Sequence, residues 1–196
     1  MITSAVSSAN STWAVSFMIR SHGLPLRQAG AILALTVGCV GALGIASSGW
    51  IIDRLGRRDV RWRTWYCAIV QIIGLPAFLL FLLAPTVPLA LTGLAIWSIC
   101  QGSLYGPVVS LCQNLVGPRM RGSVMAIFYI VSNFVGFGLG PQVVGIVSDL
   151  LRPTVGAESL RYALLCLSAS FIFAALLLYR ASRTLERDLA RADPAS

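Results

Sequence analysis

The chain is poor in charged residues, and it contains no lysine at all. Only 11% of its 196 residues are charged, whereas 57% are hydrophobic and the mean hydropathy is +0.80. A soluble domain carries about twice that charged share, because its surface must be solvated. The composition therefore excludes a water-soluble globular domain, and most side chains must face something other than water.

Residues that bind metals or carry out catalysis are also scarce. His22 is the only histidine, and it falls between two apolar segments. The five cysteines each lie within an apolar run and form no Cys-x-x-Cys pair, so we interpret them as small hydrophobic residues. Paired carboxylates and a serine placed to meet the histidine are missing. We therefore expect no metal, no cofactor and no enzymatic activity.

The basic residues are all arginines, and they give the chain a net charge of +8. They cluster in short segments between apolar runs, and no basic face with interleaved aromatic residues is present. Such clustering is typical of membrane topology, so we do not expect nucleic acid as a partner.

Six apolar windows are long enough, or nearly so, to cross a bilayer, because a spanning helix needs about 20 mostly apolar residues. Lipid cannot hydrogen-bond a bare backbone, so each window should be helical. We predict an all-α membrane protein, with a six-helix bundle over residues 1–180 and a cytoplasmic tail over 181–196. The windows are residues 2–19, which are unusually polar, 29–52, 64–84, 87–112, 124–150 and 162–179.

The arginines also predict an orientation in the bilayer. Eleven of the 15 fall on the side that carries the loop after the second window, and four fall on the other side. By the positive-inside rule, that loop and both termini are cytoplasmic, and the protein lies in the cell (inner or plasma) membrane.

The predicted helices are of two kinds. The third and the sixth are apolar around most of their circumference, which suits contact with lipid. The other four carry Gly, Ser, Asn, Gln or Pro, which suit close helix packing or a wet cavity, so we expect these four to be central. Since the third and sixth hold equivalent places in successive triplets, we expect two three-helix repeats.

The segment that closes the second window contains the most specific motif of the chain. It resembles the Gly-x-x-x-Asp-Arg-x-Gly-Arg-Arg loop of the major facilitator superfamily, whose fold has twelve helices. The resemblance implies a gating loop, in which Gly49 allows close helix packing, Gly56 allows a tight turn, and Asp53 contacts a helix N-terminus in one conformation only. Three arginines would hold the loop at the headgroups and pair with the aspartate. The motif reads Gly49-Trp-Ile-Ile-Asp53-Arg54-Leu-Gly56-Arg57-Arg58.

The fifth window contains Gly140, Pro141 and Gly145, and a Gly-Pro pair inside a spanning helix predicts a kink. The pattern is similar to helix eleven of the spinster-like and anion:cation symporter branches of that family. The loop around Pro118 and Arg119 resembles the one before helix eleven, and the fourth window lacks the arginine usual in an amino half. The resemblance therefore implies the carboxyl-terminal six-helix half of a twelve-helix fold, with the amino-terminal half missing and the first helix clipped.

In that family the solute cavity lies at mid-membrane between the two halves. Asn10, Gln101 and Asn133 are amides near the middle of three of the predicted central helices, and Trp13 and Tyr105 lie about one turn from the first two. We hypothesise that these five residues line the cavity. The alternative for each amide is a hydrogen bond between helices.

Asp149 is a carboxylate near the far end of a spanning segment, which makes it a candidate coupling residue or outer gate. The alternative is a hydrated side chain at the membrane surface, near Arg152. No charged residue is expected at mid-membrane in this chain. If transport is coupled to protons, we therefore expect the titrating group to lie in the missing half.

Secondary active transport of a small solute by alternating access is the function that the resemblance implies, with a coupling ion as a further partner. The alternative is a helix bundle that does not transport and acts as a partner or by dimerising. The sequence does not specify the solute, since amide and aromatic side chains suit sugars, carboxylates, drugs and lysolipids alike.

Overall fold

The computed structural model describes residues 2–56, 62–114, 116–117 and 119–192, and every regular element in these ranges is a helix. Two π-helical segments, Ala34–Val40 and Phe134–Leu139, join α2 to α3 and α6 to α7, and a 3₁₀ turn, Gly156–Glu158, joins α7 to α8. The helices are α1 (Ile2–His22), α2 (Leu26–Leu33), α3 (Gly41–Gly56), α4 (Trp62–Leu83), α5 (Val87–Asn114), α6 (Arg121–Asn133), α7 (Gly140–Val155) and α8 (Ser159–Ala192).

Five stretches of the described chain are long and apolar enough to cross a membrane as helices. The helix α1 has the length, 21 residues or about 31 Å, but its serines, threonine and asparagine make it more polar than the others. The protein is therefore an integral membrane protein with five strongly apolar helices and a sixth, more polar one. The five stretches are Leu26–Leu55, Thr64–Leu83, Val87–Gln113, Arg121–Val155 and Ser159–Leu177.

The predicted kink at the Gly-Pro pair takes the form of a π-helical segment. Phe134–Leu139 precedes the pair, and the Gly140 N–H donates to the carbonyl of Val135, five residues back. Pro141 then falls in the first turn of α7, where the missing N–H of proline has least effect on the helix. The second span has a π-helical segment too, Ala34–Val40, although it contains no proline.

The core lies where α4, α5, α8 and α1 meet. Phe78 of α4 is fully buried, and its ring centroid lies 5.6 Å from that of Trp97 on α5 and 5.5 Å from that of Phe171 on α8. Phe81, one turn further along α4, stacks edge-on against Phe17 of α1 at 5.1 Å. These aromatic contacts fix four helices around one apolar centre.

Glycines set the distance between α3 and α5. A Cβ added to Gly44 would overlap the backbone carbonyl of Ile99, and one added to Gly102 would overlap the carbonyl of Gly41. The two helices therefore approach backbone to backbone, which only residues without a side chain allow.

Burial within the chain differs from the predicted division into central and peripheral helices. The third span, Thr64–Leu83, has half of its apolar window buried, whereas the fifth, Arg121–Val155, has 6% and the second, Leu26–Leu55, has 22%. In this chain two of the four spans expected to be central, the second and the fifth, are thus the least covered. The reason is that α4 buries one face against α5 and α8, while the fifth span has a neighbour on little of its surface.

Candidate functional site

A cavity of about 300 Å³ opens between α1, α5 and α6. Three of the five predicted cavity residues line it, namely Gln101, Tyr105 and Asn133. The cavity wall carries no charged side chain among the residues that the structure describes there. The wall consists of Ser7, Ser8, Gln101, Leu104, Tyr105, Val108, Val109, Phe128, Tyr129, Ser132, Asn133 and Phe137.

The polar groups of the cavity are amides and phenols of α5 and α6, together with serines of α1 and α6. The Gln101 amide nitrogen is buried and has no hydrogen-bond partner in the described part of the chain. Asn133 donates from Nδ2 to the backbone carbonyl of Tyr129 at 2.7 Å, within its own helix, while the side chain remains exposed. The phenols of Tyr105 on α5 and Tyr129 on α6 both line the cavity. Such a wall can donate and accept hydrogen bonds and stack on a ring, but it offers no charge.

The sequence did not single out the serines and aromatic residues that complete this wall. The spacing of two of these residues from the predicted amides nevertheless indicated them. Ser7 lies one turn before Asn10 in α1, and Tyr129 lies one turn before Asn133 in α6, so each shares a helix face with an amide that was singled out.

Asn10 and Trp13 lie elsewhere, outside the lining of this cavity. Asn10 is fully buried in α1, and neither atom of its amide has a partner among the described residues. Trp13 donates its indole N–H to the carbonyl of Pro141 at 3.0 Å, and a Cβ on Gly145 would lie 3.3 Å from the indole ring. The structure therefore brings Trp13, Pro141 and Gly145 together as a packing contact between α1 and α7.

The motif predicted as a gating loop begins inside a helix. α3 runs through Gly49, Asp53 and Arg54 to end at Gly56, while Arg57 and Arg58 lie outside the described residues. Asp53 is exposed, and the guanidinium of Arg54 lies over the ring of Trp50, 5.5 Å from its centroid. A Cβ on Gly49 would meet no atom within 4 Å, so the close helix contact expected there is absent within the described chain.

Asp149 lies near the end of α7 with its side chain exposed. Its neighbour Ser148 is buried and shares a hydrogen bond of 3.2 Å with Ser159 at the start of α8. An ion pair between Arg161 and Glu158 lies at the same turn. The structure brings neither Asp149 nor the ion pair to the cavity.

An apolar helical bundle with an open cavity between its helices, lined by amides, phenols and serines, is typical of membrane transport proteins. Residues 1–141 match the Major Facilitator Superfamily, and this chain belongs to that family.

Comparison with known proteins gives relatives of the same kind. The chain is 32% identical over 187 residues to an MFS-type efflux pump of Mycolicibacterium smegmatis. The matched region covers 95% of the chain and 43% of the pump. Its fold is similar to that of a bacterial homolog of the human lysosomal transporter Spinster, solved inward-facing and unoccupied, with a TM-score of 0.85 at 20% identity over 95% of the chain and 46% of that protein. The inward-facing, occupied form of a bacterial Spinster homolog gives a TM-score of 0.83 at 20% identity, over 95% of the chain and 48% of that protein. The chain spans less than half the length of these relatives.

Proposed function

We propose that this chain is the carboxyl-terminal six-helix half of a secondary active transporter that moves a small solute by alternating access. The observation that carries the proposal is the open cavity, in which Gln101, Tyr105 and Asn133 from two helices face one space of about 300 Å³. A half transporter contributes one wall of a central site, and the second wall belongs to the other half.

The low burial of the second and fifth spans supports the proposal that a partner is missing. The fifth span has 6% of its apolar window buried and the second has 22%, and both carry the small and polar residues that favour helix packing over lipid. An amino-terminal half packed against these two spans would cover them and close the cavity. The matched relatives are more than twice as long as the chain, so they have room for such a half.

Two three-helix repeats account for the position of the π-helical segments. One segment interrupts the second span and the other interrupts the fifth, so each lies in the middle helix of its triplet. π-Helical turns within α-helices occur often at functional positions, because they shift the register of the side chains that follow. In the proposed mechanism these two spans bend as the halves rock.

The motif that ends α3 would hold one conformation at the cytoplasmic face. Asp53 is exposed, so its carboxylate is free to reach a helix N-terminus of the other half, where the helix dipole favours a negative charge. Gly49 has open space around it, which leaves room for a helix of the other half. Both termini are cytoplasmic in this arrangement.

The solute is a molecule recognised by hydrogen bonds and ring stacking, because the cavity wall in this chain has no charged side chain. By analogy with the efflux-pump relative, we expect export from the cell. If a proton is the coupling ion, Asp149 is the candidate in this chain for an outer gate or coupling group, since it is exposed near the far end of α7.

Transport by the complete protein in liposomes tests the proposal. A panel of sugars, amphiphilic dyes and lysophospholipids would first identify a solute that accumulates. We then expect Gln101→Leu combined with Asn133→Leu to reduce its transport at least tenfold, because two hydrogen bonds to the solute are lost. Gln28→Leu is the matched control, since Gln28 is exposed on α2 and does not line the cavity.

Unchanged transport in the double variant would contradict the cavity assignment.

The second candidate function is a non-transporting bundle that pairs with another copy of itself, and the uncovered second and fifth spans would suit such pairing. That reading requires the purified chain, expressed by itself, to form a stable dimer, and requires the complete protein to move no solute.

A further inference from the structure

A second cavity, of about 610 Å³, opens between α4 and α8 and shares no residue with the first. Its wall is almost wholly apolar, and several of its side chains, including Ile72 and Ile172, are more than half exposed at the surface that faces lipid. The wall consists of Trp65, Ala68, Ile69, Gln71, Ile72, Leu75, Phe171, Ile172, Ala175, Leu176 and Tyr179.

Gln71 is the one amide in this wall. It is 1% exposed, and its amide nitrogen has no hydrogen-bond partner in the part of the chain that the structure describes. A buried donor without an acceptor is destabilising, so such groups in native proteins normally have a partner. An acceptor oxygen on a molecule held in the groove would provide it.

The groove lies within one leaflet of a bilayer. Trp65 and Leu75 mark its two ends on α4, ten residues and about 15 Å apart, which is less than the polar layer and half of the hydrocarbon thickness of about 30 Å taken together. Because α8 is the third span after α4, the two helices run in opposite directions, and Tyr179 lies near the Trp65 end. Trp and Tyr at one level are typical of the boundary between headgroups and water.

Gln71 lies six residues, or about 9 Å, below Trp65 along α4. The polar layer on each side of a bilayer is about 5–7 Å thick, so this position falls where ester carbonyls meet the hydrocarbon core. Helical side chains lean toward the N-terminus of their helix, which in α4 is the Trp65 end, so the amide is directed toward that layer.

An arginine lies at the same end of the groove. Arg180 follows Tyr179 directly and is exposed. We propose that an anionic glycerophospholipid occupies this groove, with one acyl chain between α4 and α8, an ester carbonyl accepting a hydrogen bond from Gln71, and its phosphate near Arg180. The site depends on the protein spanning a bilayer and not on the proposed solute.

Native mass spectrometry of the complete protein tests the site, with phosphatidylglycerol and phosphatidylcholine of identical acyl chains as the two probes. We expect one phosphatidylglycerol to be retained more tightly than phosphatidylcholine. A phosphatidylglycerol with a photoreactive acyl chain should cross-link within residues 65–75 and 171–179. Equal retention of the two lipids would overturn the preference for an anionic headgroup, and cross-links spread evenly over all spans would overturn the groove itself.

Two pairs of variants separate the hydrogen bond from the shape of the groove. Gln71→Leu should lower phosphatidylglycerol affinity about fivefold, the effect of one neutral hydrogen bond, whereas Gln28→Leu should leave it unchanged. Ile72→Trp should fill the groove and abolish retention, whereas Ile73→Trp adds the same bulk one residue away, outside the groove. Both isoleucines are at least half exposed, so neither change disturbs the core. Equal affinity within either pair would overturn the proposal.

Discussion

The two sides of this bundle differ in how much of their surface is buried within the chain. On one side, the closed side, α4 packs against α5 and α8 around Phe78, and half of the α4 span window is buried. On the other side, the open side, the span Arg121–Val155 has 6% of its window buried, and the amides and phenols of the cavity face open space. Polar side chains are poorly accommodated by lipid, so the open side is the one on which we propose that the other half packs.

The contacts between helices also differ between the two sides. The closed side combines aromatic rings in contact with a backbone approach of α4 and α5 at Gly93, whereas the link toward the open side has glycines of α3 and α5 and one indole hydrogen bond between α1 and α7. Ring packing fixes helices rigidly, whereas the two π-helical segments both lie in the less covered second and fifth spans. Aromatic packing and the polar cavity wall are therefore separated in this bundle.

The glycine contact between α3 and α5 should give the largest effect. Gly102→Ala places a methyl group against the Gly41 carbonyl, where backbone atoms must move, so we expect the free energy of unfolding to fall by about 3 kcal/mol. Unfolding of the purified complete protein in mixed detergent, followed by intrinsic fluorescence, measures the change.

Gly30→Ala is the matched control for that substitution. Gly30 lies in α2, and a Cβ there would meet no atom within 4 Å, so the change should raise stability slightly through helix propensity. If both variants unfolded alike, the backbone-to-backbone approach of α3 and α5 would not be what joins the two sides.

The sequence predicted the helical membrane fold well, because unbroken apolar windows and the absence of water in lipid leave little choice. It also predicted that Asn10, Gln101 and Asn133 lie at a similar depth, since depth follows from position along a helix. Gln101 and Asn133 line the cavity, whereas Asn10 does not. Which face a residue presents depends on helix rotation, and that is set by packing. Trp13 therefore could not be assigned from its spacing, and it packs on Gly145 although Asn10 lies only three residues away.

The sequence also indicated which helices carry polar residues, but not which are buried within this chain. Polar and small residues mark surfaces that need protein contact, and the pattern does not say which chain provides it. The second and fifth spans were expected to be central, and in this chain they are the least covered. The two π-helical segments were also not expected, because Ala34–Val40 has no proline to mark it.

The aromatic centre of the closed side should give an intermediate effect. Phe78→Ala removes ring contacts with Trp97 and Phe171, and we expect a loss of about 2 kcal/mol. The value is smaller than for a soluble core, because lipid is as apolar as the protein interior and only the packing contribution is lost. The same unfolding experiment measures it, with Phe173→Ala as control, since Phe173 is 56% exposed on α8. A loss of equal size in the control would mean that ring packing does not distinguish this side.

The indole hydrogen bond on the open side should give the smallest effect on stability. Trp13→Phe keeps an aromatic ring against Gly145 but removes the donor to the Pro141 carbonyl, so we expect a loss of about 1 kcal/mol. Trp50→Phe is the control, because Trp50 is 67% exposed and lies near the end of α3, away from the contact between α1 and α7. Since the bond ties α1 to the helix that follows the second π-helical segment, faster backbone hydrogen exchange at residues 134–145 should accompany the loss. Unchanged exchange there would show that the contact is incidental, and that the open side is held by α6 and α7 alone.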